Sequence, residues 1–321
     1  MLSYFARRVW QGFLVIVVII CLNFFLIHAA PGDPVNALIG TMAPTPEYME
    51  QVRREYGLDE PLLWQFLRYA ARMAQFDFGE SLRFRQPVID IILARLPATL
   101  LLMGTALVLS STVGIVLAAA AAKFRDSWVD RVLTTTSIVG FAMPAFWLGQ
   151  LMLIVFALNL NWLPAQGMYS LRAPSDGFGR VLDILRHLIL PALTYSVYHL
   201  ALIYRLTRVK MHEALAQDYI IAARARGVAE HRVVYVHALR NAILPVVTII
   251  GLNFGFMLAG SVLVETVFAW PGLGRLFYEA ISARDYPVLM GIFTLVSGMV
   301  VIANILTDML YAVIDPRVVY G

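Results

Sequence analysis

Six long apolar runs dominate this chain, at approximately 9–30, 97–122, 133–160, 188–206, 243–264 and 287–313. A helix of roughly 20 apolar residues is long enough to cross about 30 Å of hydrocarbon. The apolar residues are gathered into runs rather than scattered at the period of a half-buried helix or strand, so the bilayer is their natural solvent. The expected fold class is an all-α membrane protein with six transmembrane helices. Composition agrees: 60% of residues are hydrophobic and 14% charged, more apolar surface than a packed soluble core absorbs.

Pro97, Pro245 and Pro287 stand at or just inside the starts of their runs, where a missing N–H is harmless. Arg7 and Arg8 before the first run and Ala29-Ala30 at its end resemble a cleaved signal peptide. The apolar stretch is too long for one, so it is kept as a span. Placing the N-terminus inside puts 13 Lys and Arg residues in the cytosol against 5 in short outer loops. The 7 arginines of the long segment 31–96 are exempt from the positive-inside rule. Both termini are therefore expected in the cytosol. The net charge of +4 reads as span-flanking anchors rather than a nucleic-acid footprint. Cys21 is the only cysteine, which excludes a disulfide framework and a thiolate metal cluster.

This divides the chain into an N-terminal segment with the first span (1–30), an extracytoplasmic segment (31–96) and a five-helix core (97–321) with a cytosolic loop at about 205–241. Within the extracytoplasmic segment, Leu62, Leu63, Phe66, Leu67, Ala70 and Met73 recur at helical spacing, with Trp64, Arg68 and Arg72 on the other side. An amphipathic helix is expected there, packed on the outer ends of the spans or lying among the headgroups.

No enzyme constellation is present. Lys123 and Lys210 are the only lysines and neither follows a glycine, so no Walker-type phosphate loop can form. None of the histidines has the His-Glu-x-x-His spacing, no Gly-x-Ser-x-Gly elbow occurs, and Gly272-Leu273-Gly274 is too short for a nucleotide fingerprint. Polar residues inside spans are functional suspects, here Asn23, Gln150, His199, Asn253, Asn304 and Asp308; hydrogen bonds between helices are the competing explanation. Gly251, Gly255 and Ala259, four apart, strip one stripe of bulk for close helix approach. Pro144 should kink or break the third span.

In the cytosolic loop, Asp218-Tyr219-Ile220-Ile221-Ala222-Ala223-Arg224-Ala225-Arg226-Gly227 reads as a short helix of small residues ended by a glycine suited to the left-handed position. Such a helix suits a groove on another protein; spacing alone leaves a solvated connector equally open.

The chain also resembles, over nearly its whole length, the B-type permease subunits of bacterial dipeptide, oligopeptide and nickel ATP-binding-cassette (ABC) importers. The residues that carry the resemblance are Pro31-Gly32-Asp33-Pro34-Val35, Tyr56-Gly57-Leu58-Asp59 with Pro61, Arg95-Leu96-Pro97-Ala98-Thr99-Leu100 and Pro144-Ala145-Phe146-Trp147. Further along come Asp218-Tyr219 through Gly227, His237-Ala238-Leu239-Arg240-Asn241-Ala242, Trp270-Pro271-Gly272-Leu273-Gly274 and Asp315-Pro316-Arg317. The resemblance implies a type I importer permease fold in the bacterial inner membrane. It also implies a coupling motif of the form Glu-Ala-Ala-x3-Gly, matched by Ala222, Ala223 and Gly227, with Ile221 in place of the glutamate.

By the same resemblance, the segment Asp218, Tyr219, Ala222, Ala223 and Gly227 meets one of two separate ATPase subunits, which hold the ATP and Mg. A paralogous permease completes a heterodimer, and an extracytoplasmic solute-binding protein delivers substrate; no cofactor binds this chain and no nucleic acid is a partner. Trp270, Pro271, Gly272 and Gly274 then line the pathway or meet the binding protein. The implied cargo is a short peptide, with nickel, glutathione or another small solute as alternatives. A self-sufficient ion-driven carrier would show broken-helix pairs and inverted repeats, and neither is detected.

Overall fold

The computed structural model describes residues 2–29, 45–55, 59–170 and 176–314. Three of the quoted motifs, 31–35, 56–58 and 315–317, lie outside these residues. The described chain is helical apart from one isolated bridge between Glu80 and Pro87. Its elements are α1 (Leu2–Ala29), α2 (Pro46–Glu55), α3 (Leu62–Ala74), α4 (Val88–Lys123), α5 (Trp128–Ala142) and α6 (Ala145–Met152). They continue with α7 (Gly177–Leu215), α8 (Asp218–Ala225), α9 (Glu230–Arg232), α10 (Leu239–Gly260), α11 (Val262–Val267), α12 (Leu273–Ala283) and α13 (Tyr286–Ile314). Wider π-helical turns extend α6 over Leu153–Asn159 and join α9 to α10 over Val233–Ala238.

Among the described residues five helices are long and apolar enough to cross a membrane, or six if one bent pair is a single span. That pair is α5 and α6, which meet at 104°. Met143, preceding Pro144, is extended at ψ 128°, the conformation proline's ring forces on its predecessor. The third run is thus broken rather than kinked.

Two proline boundaries are corrected. Pro97 lies inside the 36-residue α4, and Pro245 lies inside α10. A proline within a helix removes one ladder bond, and burial of Val88, Ile91 and Ile92 before it and of Ala98 after it holds α4 together across the gap. The helix α7, at 39 residues, is about 58 Å long, longer than the hydrocarbon is thick.

The backbone divides into two compact units. The first comprises Met1–Thr99 and Pro271–Ile302. Its core joins Met73, Phe78, Val88, Ile92, Leu276 and Val288. The first span packs on α3 through Phe24, whose ring lies 5.4 Å from Phe66 and 5.8 Å from Tyr69. The inward side of α3 is therefore Gln65, Phe66, Tyr69 and Met73, whereas Leu62, Leu63, Trp64 and Leu67 are exposed. The helix forms as its spacing predicts, but its apolar arc is wider than the strip that α1 covers. Buried Asn23 donates to Thr294 Oγ1 at 3.0 Å, so this suspect of the first span is a link between helices.

Outside the spans, a loop over 76–87 folds back onto the start of α13. Asp285, 1% exposed, accepts from Ser81 Oγ at 2.5 Å and from the Arg83 N–H at 3.2 Å, and receives the Val288 N–H at 3.4 Å. One carboxylate thereby fixes the loop and caps the helix.

The second unit comprises Leu100–Trp270 and Ala303–Gly321. Here α7 is the central post. Tyr204 and Thr134 share a hydrogen bond of 3.1 Å, Ser137 Oγ donates to Ala201 O at 3.4 Å, and Tyr195 OH donates to Met257 O at 2.6 Å. At Gly251, α10 runs so close to α13 that a methyl group there would strike the Thr307 side chain, whose Cβ is 2.8 Å away. At this point the two helices leave no room for a side chain. The surroundings of Gly255, Ala259 and Asp308 lie outside the described residues.

Candidate functional site

The segment Asp218 to Gly227 forms α8 and its stop signal. Asp218 occupies the first turn, where its charge complements the helix dipole. At the other end Gly227 adopts φ +78°. Its N–H donates to Arg224 O at 2.9 Å, and the Val228 N–H donates to Ala223 O at 3.2 Å. These two bonds make a Schellman stop, which requires a left-handed residue at the glycine. A Cβ on Gly227 would meet nothing within 4 Å, so the glycine is demanded by backbone conformation and not by space.

Two residues three apart, Ile220 and Ala223, turn inward as helical spacing dictates. They enter a cluster with Met211 and Ala214 of α7, Ala119 and Ala122 of α4, and Val233, Val234 and Ala238 of the following π turn. The alanines bring these backbones close together. Asp218, Tyr219, Ile221 and Ala222 remain exposed, as does Gly227. Ile221, at the position where the coupling motif carries glutamate, is 60% exposed. Arg224 closes the turn onto Glu230 with two hydrogen bonds, at 3.1 and 2.7 Å.

The motif Trp270 to Gly274 is placed differently. Trp270 is fully buried, and Gly272, Leu273 and Gly274 are buried beside it; Pro271 is half-buried. Trp270 N–H donates to Glu265 O at 2.8 Å, and Leu273 N–H donates to Thr99 Oγ1 at 2.7 Å. Thr99 belongs to the Arg95–Leu100 motif, so two stretches far apart in sequence meet where α12 starts. Their buried side chains fix helix ends; Tyr278 and Ile281 are exposed further along α12.

Sequence reasoning passed over Glu265, a fully buried carboxylate in α11. Its signal was available, since an acid within an apolar stretch is costly and therefore purposeful, but residue 265 falls just beyond the run drawn to 264. Among the other span suspects, His199 and Asn253 are buried, Asn304 is half-buried and Gln150 is exposed.

Residues 110–320 match the family of binding-protein-dependent transport system inner membrane components, and residues 1–103 match the N-terminal part of such membrane components. This chain belongs to that family. The permease is 40% identical over 99% of both chains to the di/tripeptide transport system permease protein DppB of Pseudomonas aeruginosa. It is 40% identical, over all of both chains, to the oligopeptide transport system permease protein AppB of Bacillus subtilis. Identity is also 40% over both full lengths with the glutathione transport system permease protein GsiC of Escherichia coli. It is thus a multi-pass inner-membrane transport component, a permease and not an enzyme.

Proposed function

We propose that this permease carries short peptides inward as one half of a translocation pathway, driven by ATP hydrolysed with Mg on two separate ATPase subunits. The observation that carries the reading is α8. It presents Asp218, Tyr219, Ile221 and Ala222 to solvent while Ile220 and Ala223 seat it on the core. A helix built this way transmits force, because a partner gripping its exposed side pulls on packed helices rather than on a slack loop. The peptide assignment draws on full-length similarity to peptide permeases.

In this reading six spans place both termini in the cytosol, a paralogous permease supplies the other half of the pathway, and a solute-binding protein delivers cargo from outside. Nucleotide-driven closure of the ATPases pushes α8, and the bundle alternates between outward and inward access. The buried Trp270 to Gly274 stretch positions α12 for the pathway or for the binding protein.

Reconstitution tests this directly. Liposomes holding the permease, its paralogue, the ATPases and the binding protein should accumulate labelled dipeptide only when ATP and binding protein are both present. Uptake by this chain alone, without ATP, would establish an ion-driven carrier instead. Glutathione is the second reading, favoured by the similarity to the glutathione permease, and competition between the two solutes separates them.

A further inference from the structure

Between Ser81 and Gln86 the loop of the first unit closes a tight turn. Ser81 N–H donates to Gln86 O and Arg85 N–H to Ser81 O, each at 2.9 Å, and the Phe84 N–H donates to Ser81 Oγ at 3.0 Å. The same hydroxyl and the Arg83 N–H both reach the buried Asp285, so the turn is tied to the core. Phe84 packs against that core and Leu82 is half-buried. What the tip shows to solvent is Arg83, Arg85 and Gln86.

A third arginine stands beside them, since Arg284 immediately precedes Asp285, ends α12 and is exposed. Other arginines of this unit are paired with acids: Arg68 with Glu60, Arg72 with Asp77 and Arg275 with Glu279. Among the described residues no acid pairs with Arg83, Arg85 or Arg284; the Arg83 guanidinium lies over the Phe84 ring, 5.4 Å from its centre. The exposed acids of the stretch lie off the tip, Glu80 at the base of the turn opposite Pro87 and Asp90 in the first turn of α4. Arg85 and Arg284 also hold left-handed backbone, at φ 52° and 53°, which is unfavourable for a residue with a Cβ. Strain of this kind gathers at binding sites.

We infer that Arg83, Arg85 and Arg284 form a preformed docking point for an acidic patch on the solute-binding protein. The inference rests on the importer reading, which puts this loop on the outer side of the membrane; the family is itself described as binding-protein-dependent. Arginine suits carboxylates through charge-assisted, forked hydrogen bonds, and a backbone already fixed loses little freedom on docking. A protein is favoured over a lipid surface by what the tip lacks. Segments that lie on a membrane expose apolar anchors, as α3 does with Leu62, Leu63 and Trp64, whereas the apolar residues of this turn pack inward.

Titration with the binding protein tests it. The assembled transporter in nanodiscs receives ATP and increasing amounts of dipeptide-loaded binding protein, and stimulation of ATP hydrolysis is followed. Arg83→Glu with Arg284→Glu should raise the half-saturating concentration about tenfold and weaken its dependence on salt. Arg54→Glu, the same change of charge on the exposed side of α2, should leave it as in the wild type. Arg85→Asn separates docking from folding: asparagine tolerates the left-handed region, so protease cleavage of the loop should not quicken, yet half-saturation should still rise.

Half-saturation unchanged in the Arg83, Arg85 and Arg284 variants overturns the docking point alone. Weakening seen only in nanodiscs of anionic phosphatidylglycerol, and absent in phosphatidylcholine, overturns it in favour of a lipid contact. Absence of stimulation of the wild-type transporter overturns the importer reading and the docking assignment with it.

Discussion

Arg208 grips Asp130 through two parallel hydrogen bonds, Nε to Oδ1 and Nη2 to Oδ2, each 2.7 Å long. Asp130 stands in the first turn of α5, where its N–H donates to the Ser127 hydroxyl. The pair joins the starting end of α5 to the far end of α7. With the Asp130 side chain 4% exposed and Arg208 27%, solvent screens it weakly. Replacing Asp130 with Ala should destabilise the second unit by about 3 kcal/mol, because the arginine is left without its partner. Arg208→Lys should lose part of that, having no planar fork. Thermal unfolding of the detergent-purified protein measures both.

Gly227 makes a graded prediction. A β-branched residue at φ +78° costs about 1–2 kcal/mol of backbone strain, enough to unwind the end of α8. Gly227→Val should leave the protein in the membrane while uncoupling ATP hydrolysis from uptake. Gly227→Asn should remain near normal, because asparagine tolerates the left-handed region. Equal uptake by the valine variant at normal expression removes the coupling role.

Gly251→Ala should destabilise the packing of α10 on α13 by about 1–3 kcal/mol, because the new methyl would overlap Thr307. Thr307→Ala should partly rescue it in the double variant, a non-additivity expected only of residues in contact. The amount of folded protein surviving detergent extraction reports the result.

Asp285→Ala should free the outer loop, since Ser81 Oγ and the Arg83 N–H both lose their acceptor. A loss of about 2 kcal/mol is expected, seen as faster protease cleavage within 79–87. Uptake should fall with the basal ATPase rate preserved, because α8, the proposed ATPase contact, is untouched.

Much of this architecture was readable from the chain. Helical class, the approximate spans, the break at Pro144 and the Gly227 stop all follow from local chemistry that tertiary packing does not override. What packing decides was less legible. Pro97 and Pro245 looked like helix starts, yet both lie inside helices. The apolar residues of α3 gave no means of telling which of them meet Phe24, since that depends on a contact with another helix. Ala222 and Ala223 look alike in sequence, but only Ala223 is inside; which of the two faces outward depends on how α8 seats against Met211 and Val233.

The seating of α8 also limits what kind of motion the protein can make. With Ile220 and Ala223 wedged among Met211, Ala119 and Val234, the helix works as a keystone: it cannot be tilted without shifting the feet of three columns at once. In the proposed role, a push on α8 would therefore be passed to the helices it touches, and any substitution that loosened the wedge would turn a lever into a hinge.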